Sequence, residues 1–302
     1  MGQFSMTISA VAGSNLSGNQ HAVTPSRITT DIAGQLVQIV RETARHEILP
    51  HFRSLDASGL TTKTSQNDLV TIADRAAERR IADAAGALFP TALIVGEEAV
   101  SDDPDLAARL ADAELAIIID PIDGTWNYAR GLPLFGVNLA VVEDGKTIFG
   151  LHHDPVTDSW IEARLGAGTH RRDAAGYRQR LLIDAEVTTS AGLIPTALPR
   201  RAGRARWASL VADYERIGAL GCSCHDYWLL AEGAVDFMFA DQVRPWDHAA
   251  GVLLYSEAGG YGAMLSDGAP YLVARRDGPL LCARSPRLWD ALRDKFLMPQ
   301  AA

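Results

Sequence analysis

Two carboxylates and a Gly-Thr pair stand together in the run Ile117-Ile118-Ile119-Asp120-Pro121-Ile122-Asp123-Gly124-Thr125. Asp120 and Asp123 carry hard oxygen donors of the kind that bind divalent cations, and the Ile122 carbonyl between them is a third candidate ligand. Gly124 lets the backbone approach a ligand closely, and Thr125 adds a hydroxyl. A helix starting near Gly124 and Thr125 would offer its free N–H groups to a phosphate. The chemistry these residue types allow is metal-assisted work on a phosphate. An Asp-x-x-Asp pair alone is more often a turn with two solvated carboxylates; the apolar run before it and the Gly-Thr after it make this string more specific.

Such residues need elements that present them. Ile117 to Ile119 read as the end of a buried strand, and Pro121 fixes one backbone angle between the carboxylates. Upstream, the apolar spacing predicts a helix from Thr30 to Phe52, ending near Pro50. Thr71 and Asp74 resemble a capping box opening an Ala- and Arg-rich helix that runs to about Phe89 and is stopped by Pro90. Leu93–Val95 is a short strand with Gly96-Glu97-Glu98 at its end, and residues 101–112 are acidic surface. Strands follow at Ala116–Ile119, Val137–Val142, Thr147–His152 and Trp160–Ala163, with a hairpin turn at Glu143–Gly145 and another turn at Gly166–Gly176. Leu181 opens a strand near a boundary at about 180–185. The second half alternates: helix Ala205–Ile217, strand Ala219–Gly221, helix Asp226–Glu232, strand Val235–Phe239, a helix beginning near Asp247, strands Tyr271–Ala274 and Leu280–Ala283, and a last helix Pro286–Phe296. Alternation of this kind argues α/β packing. The expected organisation is a mobile tail over 1–28, rich in Gly, Ser, Asn, Gln and Thr, a metal-binding α+β part over 29–182, and an α/β part over 183–302, together one compact unit.

At 302 residues with 47% apolar and 22% charged side chains, the chain can build a large core. Its net charge of −9 argues against a general nucleic-acid binder or a binder of anionic membranes, which want a basic face. An acidic protein that handles phosphate needs local positive charge, which bound cations would supply. The one basic run, Pro199 to Arg206, reads as a solvated loop and helix start rather than a contact for an anionic partner. Cys222, Cys224 and Cys282 fit a reducing cytosol and read as buried thiols; Cys222-x-Cys224 lacks the second pair a zinc site would need. There is neither an apolar run of membrane-spanning length nor a signal peptide, so a cytoplasmic location is expected.

Four blocks, in order, carry a resemblance: Asp68-Leu-Val-Thr-Ile-Ala-Asp74, Gly96-Glu97-Glu98, Asp120-Pro-Ile-Asp-Gly-Thr125 and Trp246-Asp247-His-Ala-Ala-Gly251. Together they resemble the inositol monophosphatase family of magnesium-dependent, lithium-sensitive phosphomonoesterases. The resemblance implies an α/β fold, a five-layered αβαβα sandwich, assembled as a homodimer. It also implies Mg2+, two to three ions per subunit. Glu97, Asp120 and the Ile122 carbonyl would hold one ion, and Asp120, Asp123 and Asp247 a second; a third would sit near Glu97. Glu97 and Thr125 would orient and deprotonate a metal-activated water, with Asp74 accepting the Thr125 hydroxyl. The Gly124 and Thr125 amides would hold the phosphate, beside Asp123 and Asp247.

Gly221, Cys222 and Ser223 match the turn that contacts the substrate. Glu98 reads as a cap or surface carboxylate and Asp68 as structural. Lys63 is either near the third ion or simply solvated. His152 and His153 read as strand packing, His248 as pointing elsewhere on its helix, and Trp246 as core that positions Asp247. One departure concerns specificity: Ala240, with Asp241 beside it, stands where the family has a ring-gripping glutamate seven residues before the metal aspartate. The default substrate is inositol 1-phosphate. Histidinol phosphate, fructose 1,6-bisphosphate and 3′-phosphoadenosine nucleotides are alternatives hydrolysed by relatives. One branch of the family works instead as an RNA-polymerase or ribosome partner, a reading the acidic charge and intact carboxylates disfavour.

Overall fold

The computed structural model describes residues 27–53, 60–62, 69–195 and 212–297. Lys63, Asp68 and the basic run from Pro199 to Arg206 lie outside the described residues.

Helix α1 spans Thr30–Thr43, with the Thr29 hydroxyl oxygen accepting the N–H of Ile32 at its start. It continues as a wider turn over Ala44–Ile48 and a tight one over Leu49–His51, where Pro50 ends it. Strands β1 (Leu60–Thr62) and β2 (Leu69–Thr71) form an antiparallel pair that leads into α2 (Ile72–Leu88). Then come β3 (Leu93–Gly96), α3 (Glu97–Asp102), a tight helical stretch Pro104–Ala111, β4 (Leu115–Asp123) and α4 (Thr125–Ala129). A meander follows: β5 (Gly136–Glu143), β6 (Lys146–Asp154), β7 (Ser159–Arg164), β8 (Thr169–Asp173) and β9 (Arg178–Leu181). The second part holds β10 (Ala191–Leu193), β11 (Arg216–Gly218), α5 (Ser223–Ala231), β12 (Phe237–Ala240), α6 (Pro245–Glu257), β13 (Tyr261–Met264), β14 (Leu280–Ala283) and α7 (Pro286–Leu297).

Strands β3 to β9 lie side by side in chain order in a seven-stranded sheet, antiparallel except for the β3–β4 pair. A five-stranded sheet has the order β11-β10-β12-β14-β13. Strand alternation sorts the core into layers. Ile117, Ile119, Leu139 and Val141 point to one face of the large sheet, onto Leu36 and Val40 of α1 and Ala77 and Ile81 of α2. Ile118, Ala140 and Val142 point to the other face, onto Ala249 and Ala250 of α6. Tyr227 and Leu230 of α5 and Tyr255 of α6 then meet Met238, Leu280 and Cys282 of the small sheet. Phe237, Phe239 and Leu281, on the reverse of that sheet, pack on Trp289, Leu292 and Phe296 of α7. Helix, sheet, helix, sheet, helix: the five-layered sandwich is the observed architecture.

Several local expectations are corrected. Of the tail expected over 1–28, residues 1–26 lie outside the described residues, while Ile28 is buried in the core and Arg27 pairs with Glu114 and Glu143. The turn expected over Gly166–Gly176 contains β8, and Leu181 closes a strand instead of opening one. Of the helix expected over 205–217, residues 205–211 lie outside the described residues, and Arg216–Gly218 is a strand, three residues before the one expected. Tyr271–Ala274 is not a strand; Val273 is buried there as irregular chain, and β13 supplies the edge. Among the described residues no helix is long and apolar enough to cross a membrane.

Candidate metal and phosphate site

Residues three apart on a regular strand point to opposite faces, so Asp120 and Asp123 could not share a site on an unbroken β4. Pro121 has no N–H to give to the ladder. The β4–β5 register shifts at this point: Asp120 lies opposite Asn138, and Asp123 lies opposite Gly136. Three steps along one strand answer two along the other, the signature of a bulge. The Ile122 side chain consequently joins Ile117 and Ile119 on the α1–α2 face, and both carboxylates turn to the same side. Gly124 follows with φ +89°, and a Cβ there would lie 2.8 Å from the Leu134 carbonyl oxygen, so the start of α4 demands glycine.

Asp247, in the first turn of α6, completes the cluster. Ligand atoms of Asp120, Asp123 and Asp247 all lie within 4.8 Å of one another. Asp120 is 2% exposed and Asp123 7%. Burial, the charge of Glu97 and the charges of Asp123, Asp247 and Asp74 hold the Asp120 carboxyl well above the usual carboxylate range. Burial, Asp123 and Glu97 do the same to Asp247, against a smaller opposing pull from Arg244. Asp120 Oδ1 is buried and accepts no hydrogen bond among the described residues. An all-oxygen donor set, buried, crowded with like charge and holding a spare acceptor, fits a hard divalent cation. Glu97, the first residue of α3, is half-buried beside it.

The surrounding groups depart in part from expectation. The Thr125 hydroxyl donates to the Ile122 carbonyl at 3.0 Å, not to Asp74, so the expected Asp74–Thr125 relay is replaced by a bond that holds a candidate ligand carbonyl. Asp74 is buried in α2 and acts on Asp120 through its charge. Glu98 is 3% exposed, with Arg75 Nε 3.5 Å away, and is not a surface carboxylate. Cys222 precedes α5 and Ser223 opens it, and both turn toward Asp123. The Ser223 hydroxyl donates to Asp123 Oδ2 at 2.7 Å, the Cys224 N–H donates to the same oxygen, and the Cys222 thiol reaches the Asp123 carbonyl at 3.4 Å. Gly221 carries a left-handed φ of 66° just before them. Ala240 ends β12, and Asp241 is exposed after it. The three cysteines are buried free thiols. His152 and His153 are buried in β6. His248 is buried between the Tyr227 hydroxyl and the Gln242 carbonyl, both at 2.9 Å.

Two residues with a part in the site were missed. Asn138 sits in the apolar stretch of β5 and is 1% exposed; its amide donates to Asp123 Oδ2 and Ser223 Oγ, each at 3.2 Å, and to the Trp246 carbonyl at 3.4 Å. It thereby ties β4, α5 and α6 together. The signal was there: a lone amide in a buried run must be hydrogen-bonded to something. Glu78 is the other. Burial pushes its carboxyl up to about 7, against the pull of two backbone N–H groups.

A family model described as "Inositol monophosphatase family" matches residues 28–292. The chain is 30% identical over 242 residues to a Nus factor SuhB of Pasteurella multocida, covering 78% of this chain and 85% of that one. It is 32% identical over 222 residues to a fructose-1,6-bisphosphatase/inositol-1-monophosphatase of Thermotoga maritima, covering 71% and 78% respectively. Among solved structures, an IMPase of Thermotoga maritima superposes with a TM-score of 0.74 at 25% identity, covering 88% of this chain and 96% of the other. An inositol monophosphatase II of Staphylococcus aureus, at 22% identity and a TM-score of 0.73, shares the fold, covering 90% and 95%.

Proposed function

The chain belongs to the inositol monophosphatase family, and on that premise we propose that it is a magnesium-dependent phosphomonoesterase acting on a small phosphorylated metabolite, with inositol 1-phosphate as the reference substrate. The observation that carries the reading is the convergence of Asp120, Asp123 and Asp247 through the Pro121 bulge. Those three, with Glu97 and the Ile122 carbonyl, would hold the cations. Bound there, they supply Lewis-acid activation of water and neutralise charge on the phosphoryl group. The chain's own groups do the rest. The free N–H groups at the start of α4, from Gly124 and Thr125, orient the phosphate. Glu97 takes the proton from the attacking water. Thr125 keeps the Ile122 carbonyl aimed, and Ser223 and Asn138 hold Asp123 in one rotamer. On this reading the enzyme is a lithium-sensitive, cytoplasmic homodimer.

Ala240 removes the acidic group expected near the substrate hydroxyls, which supports a permissive pocket. Phosphate release from a panel of phosphomonoesters, with and without magnesium and chelator, is the test; no magnesium-dependent release from any of them would end the proposal. A second reading, a transcription partner, is favoured by the 30% identity to a Nus factor. RNA-polymerase pulldown with wild type and Asp120→Asn separates the two, because a partner surface has no need of the carboxylate.

A further inference from the structure

The short helix that carries Glu97 has no cap of its own. Its N-cap residue, Gly96, is extended and has no side chain to offer. An N-cap side chain ordinarily accepts the N–H of the second or third helical residue. In α3 those residues are Glu98 and Ala99. Their N–H groups go instead to Glu78 of α2: Glu98 N–H to Oε2 at 2.7 Å and Ala99 N–H to Oε1 at 2.8 Å. A Cβ on Gly96 would lie 2.1 Å from the Glu78 carboxyl carbon. The carboxylate therefore fills the space that a cap side chain would occupy, and Gly96 is glycine to admit it.

Helix α2 also holds the other end of α3. Arg75 donates to both oxygens of Asp102, the last residue of α3, at 2.8 and 3.0 Å, and its Nε lies 3.5 Å from Glu98. A helix of six residues does not stand by itself in water. Glu78 is only 7% exposed, so its acceptors see these amides and little solvent. The residue so fixed at the first position is Glu97, whose charge acts on both Asp120 and Asp247.

We propose that Glu78 is a positioning residue of the catalytic centre: its carboxylate caps α3 across the helix–helix contact and sets Glu97 against the aspartate cluster. This rests on the phosphatase reading for the role of Glu97. Glu78 does not touch the substrate; it acts through the backbone of α3.

The test is a mutant cycle on the full chain: Glu78→Ala, Gly96→Ser, and the two combined. Glu78→Ala removes the cap. Gly96→Ser alone drives a side chain into the carboxylate. Together they replace a cap supplied by another helix with one at the N-cap itself. Two quantities are read: the magnesium concentration giving half-maximal phosphate release, and magnesium affinity of the substrate-free protein by calorimetry. Each single change is expected to weaken magnesium about tenfold, equivalent to about 1.4 kcal/mol, with KM at saturating magnesium within about twofold. The double variant is expected to recover to within about threefold of wild type. A purely structural role would lower the melting temperature and leave the magnesium dependence of the folded fraction unchanged. Glu78→Gln, which keeps the shape and loses one acceptor, covers the case in which Glu78→Ala does not fold, and is expected to weaken magnesium in the same direction. Wild-type magnesium affinity in Glu78→Ala or Glu78→Gln, or a double variant as impaired as the two singles summed, overturns the proposal. If wild type binds magnesium without releasing phosphate, the phosphatase reading fails while the calorimetric arm still decides the role of Glu78.

Discussion

Replacing Asp120 by asparagine should make the protein more stable without metal and inactive with it. Asp120 faces two carboxylates within 4.8 Å. At an effective dielectric near 20, each fully ionised pair at that distance costs about 3–4 kcal/mol. Burial and this repulsion together hold the Asp120 carboxyl well above its ordinary 3.8. Folding therefore favours the protonated form of Asp120, and ionising it works against the fold. Because the folded pKa is the raised one, wild-type stability is fully present below about pH 4 and falls as pH rises. Asparagine carries no such penalty. In chelator at pH 7, Asp120→Asn should therefore melt higher than wild type; relief of one such pair, up to about 3–4 kcal/mol, corresponds to about 5–6 °C for a chain of this size. The gain should vanish near pH 4. Magnesium should reverse the order, stabilising wild type in proportion to its occupancy and the variant hardly at all. Turnover should fall by more than about 10³-fold. The assay is thermal melting across pH 4–8 with chelator or magnesium, beside phosphate release. A variant less stable than wild type in chelator throughout that range, or magnesium stabilising both equally, would refute the reasoning.

Thr125→Ala should lower kcat about 10²-fold with KM little changed, and Thr125→Ser should keep most activity, since the hydroxyl that holds the Ile122 carbonyl survives; equal losses would show the hydroxyl has no part. Ala240→Glu should raise kcat/KM for inositol 1-phosphate relative to other monoesters by about tenfold, the effect of roughly one hydrogen bond to a charged group; no change in the ratio would place the specificity elsewhere. Burial lowers the His248 pKa to about 4, so its contribution to stability is present above about pH 6.5 and lost as the pH falls, reaching about 3 kcal/mol at pH 4. Denaturant titrations of wild type and His248→Gln in chelator should diverge by that amount in acid, and parallel curves would contradict it.

What could be read from the sequence was what local chemistry dictates. Pro50 and Pro90 stop helices because the ring removes a donor, and the β-branched run before Asp120 is the interior of β4. The four carboxylates could be named from the residues, but their meeting followed only from the family resemblance and not from their spacing, because residues 97, 120–123 and 247 come together through a parallel strand pair, a bulge and a helix laid across the sheet. The errors have the same origin. Tyr271 to Ala274 has an apolar pattern that suits a strand, yet a strand also needs an edge to pair with, and β13 takes the one beside β14. Gly166 to Gly176 looks like a turn by composition, but Thr169 to Asp173 pairs along β7. Glu78 reads locally as one more charged residue on an amphipathic helix; only the neighbouring α3 shows that it is buried and bonded.

The crowding of negative charge then has a structural explanation that reaches beyond the cations. Asp123 Oδ2 receives the N–H of Cys224 at the start of α5, and Asp247 lies in the first turn of α6. The N-terminus of each helix carries the positive end of its dipole, so both carboxylates sit where a fixed partial charge favours them. Asn138, bonded to Asp123, Ser223 and the Trp246 carbonyl, keeps both helix starts in place against β4. Asp120 has no such support: it lies within the buried strand β4, with one oxygen that accepts nothing. Asp120 therefore relies on a bound cation for what the helix starts give Asp123 and Asp247. That is the physical reason for expecting its replacement, rather than that of Asp123 or Asp247, to separate stability from activity most cleanly. Removing Asp123 would also uncap α5 and leave the Asn138 amide short of an acceptor, so loss of activity there would be mixed with loss of fold.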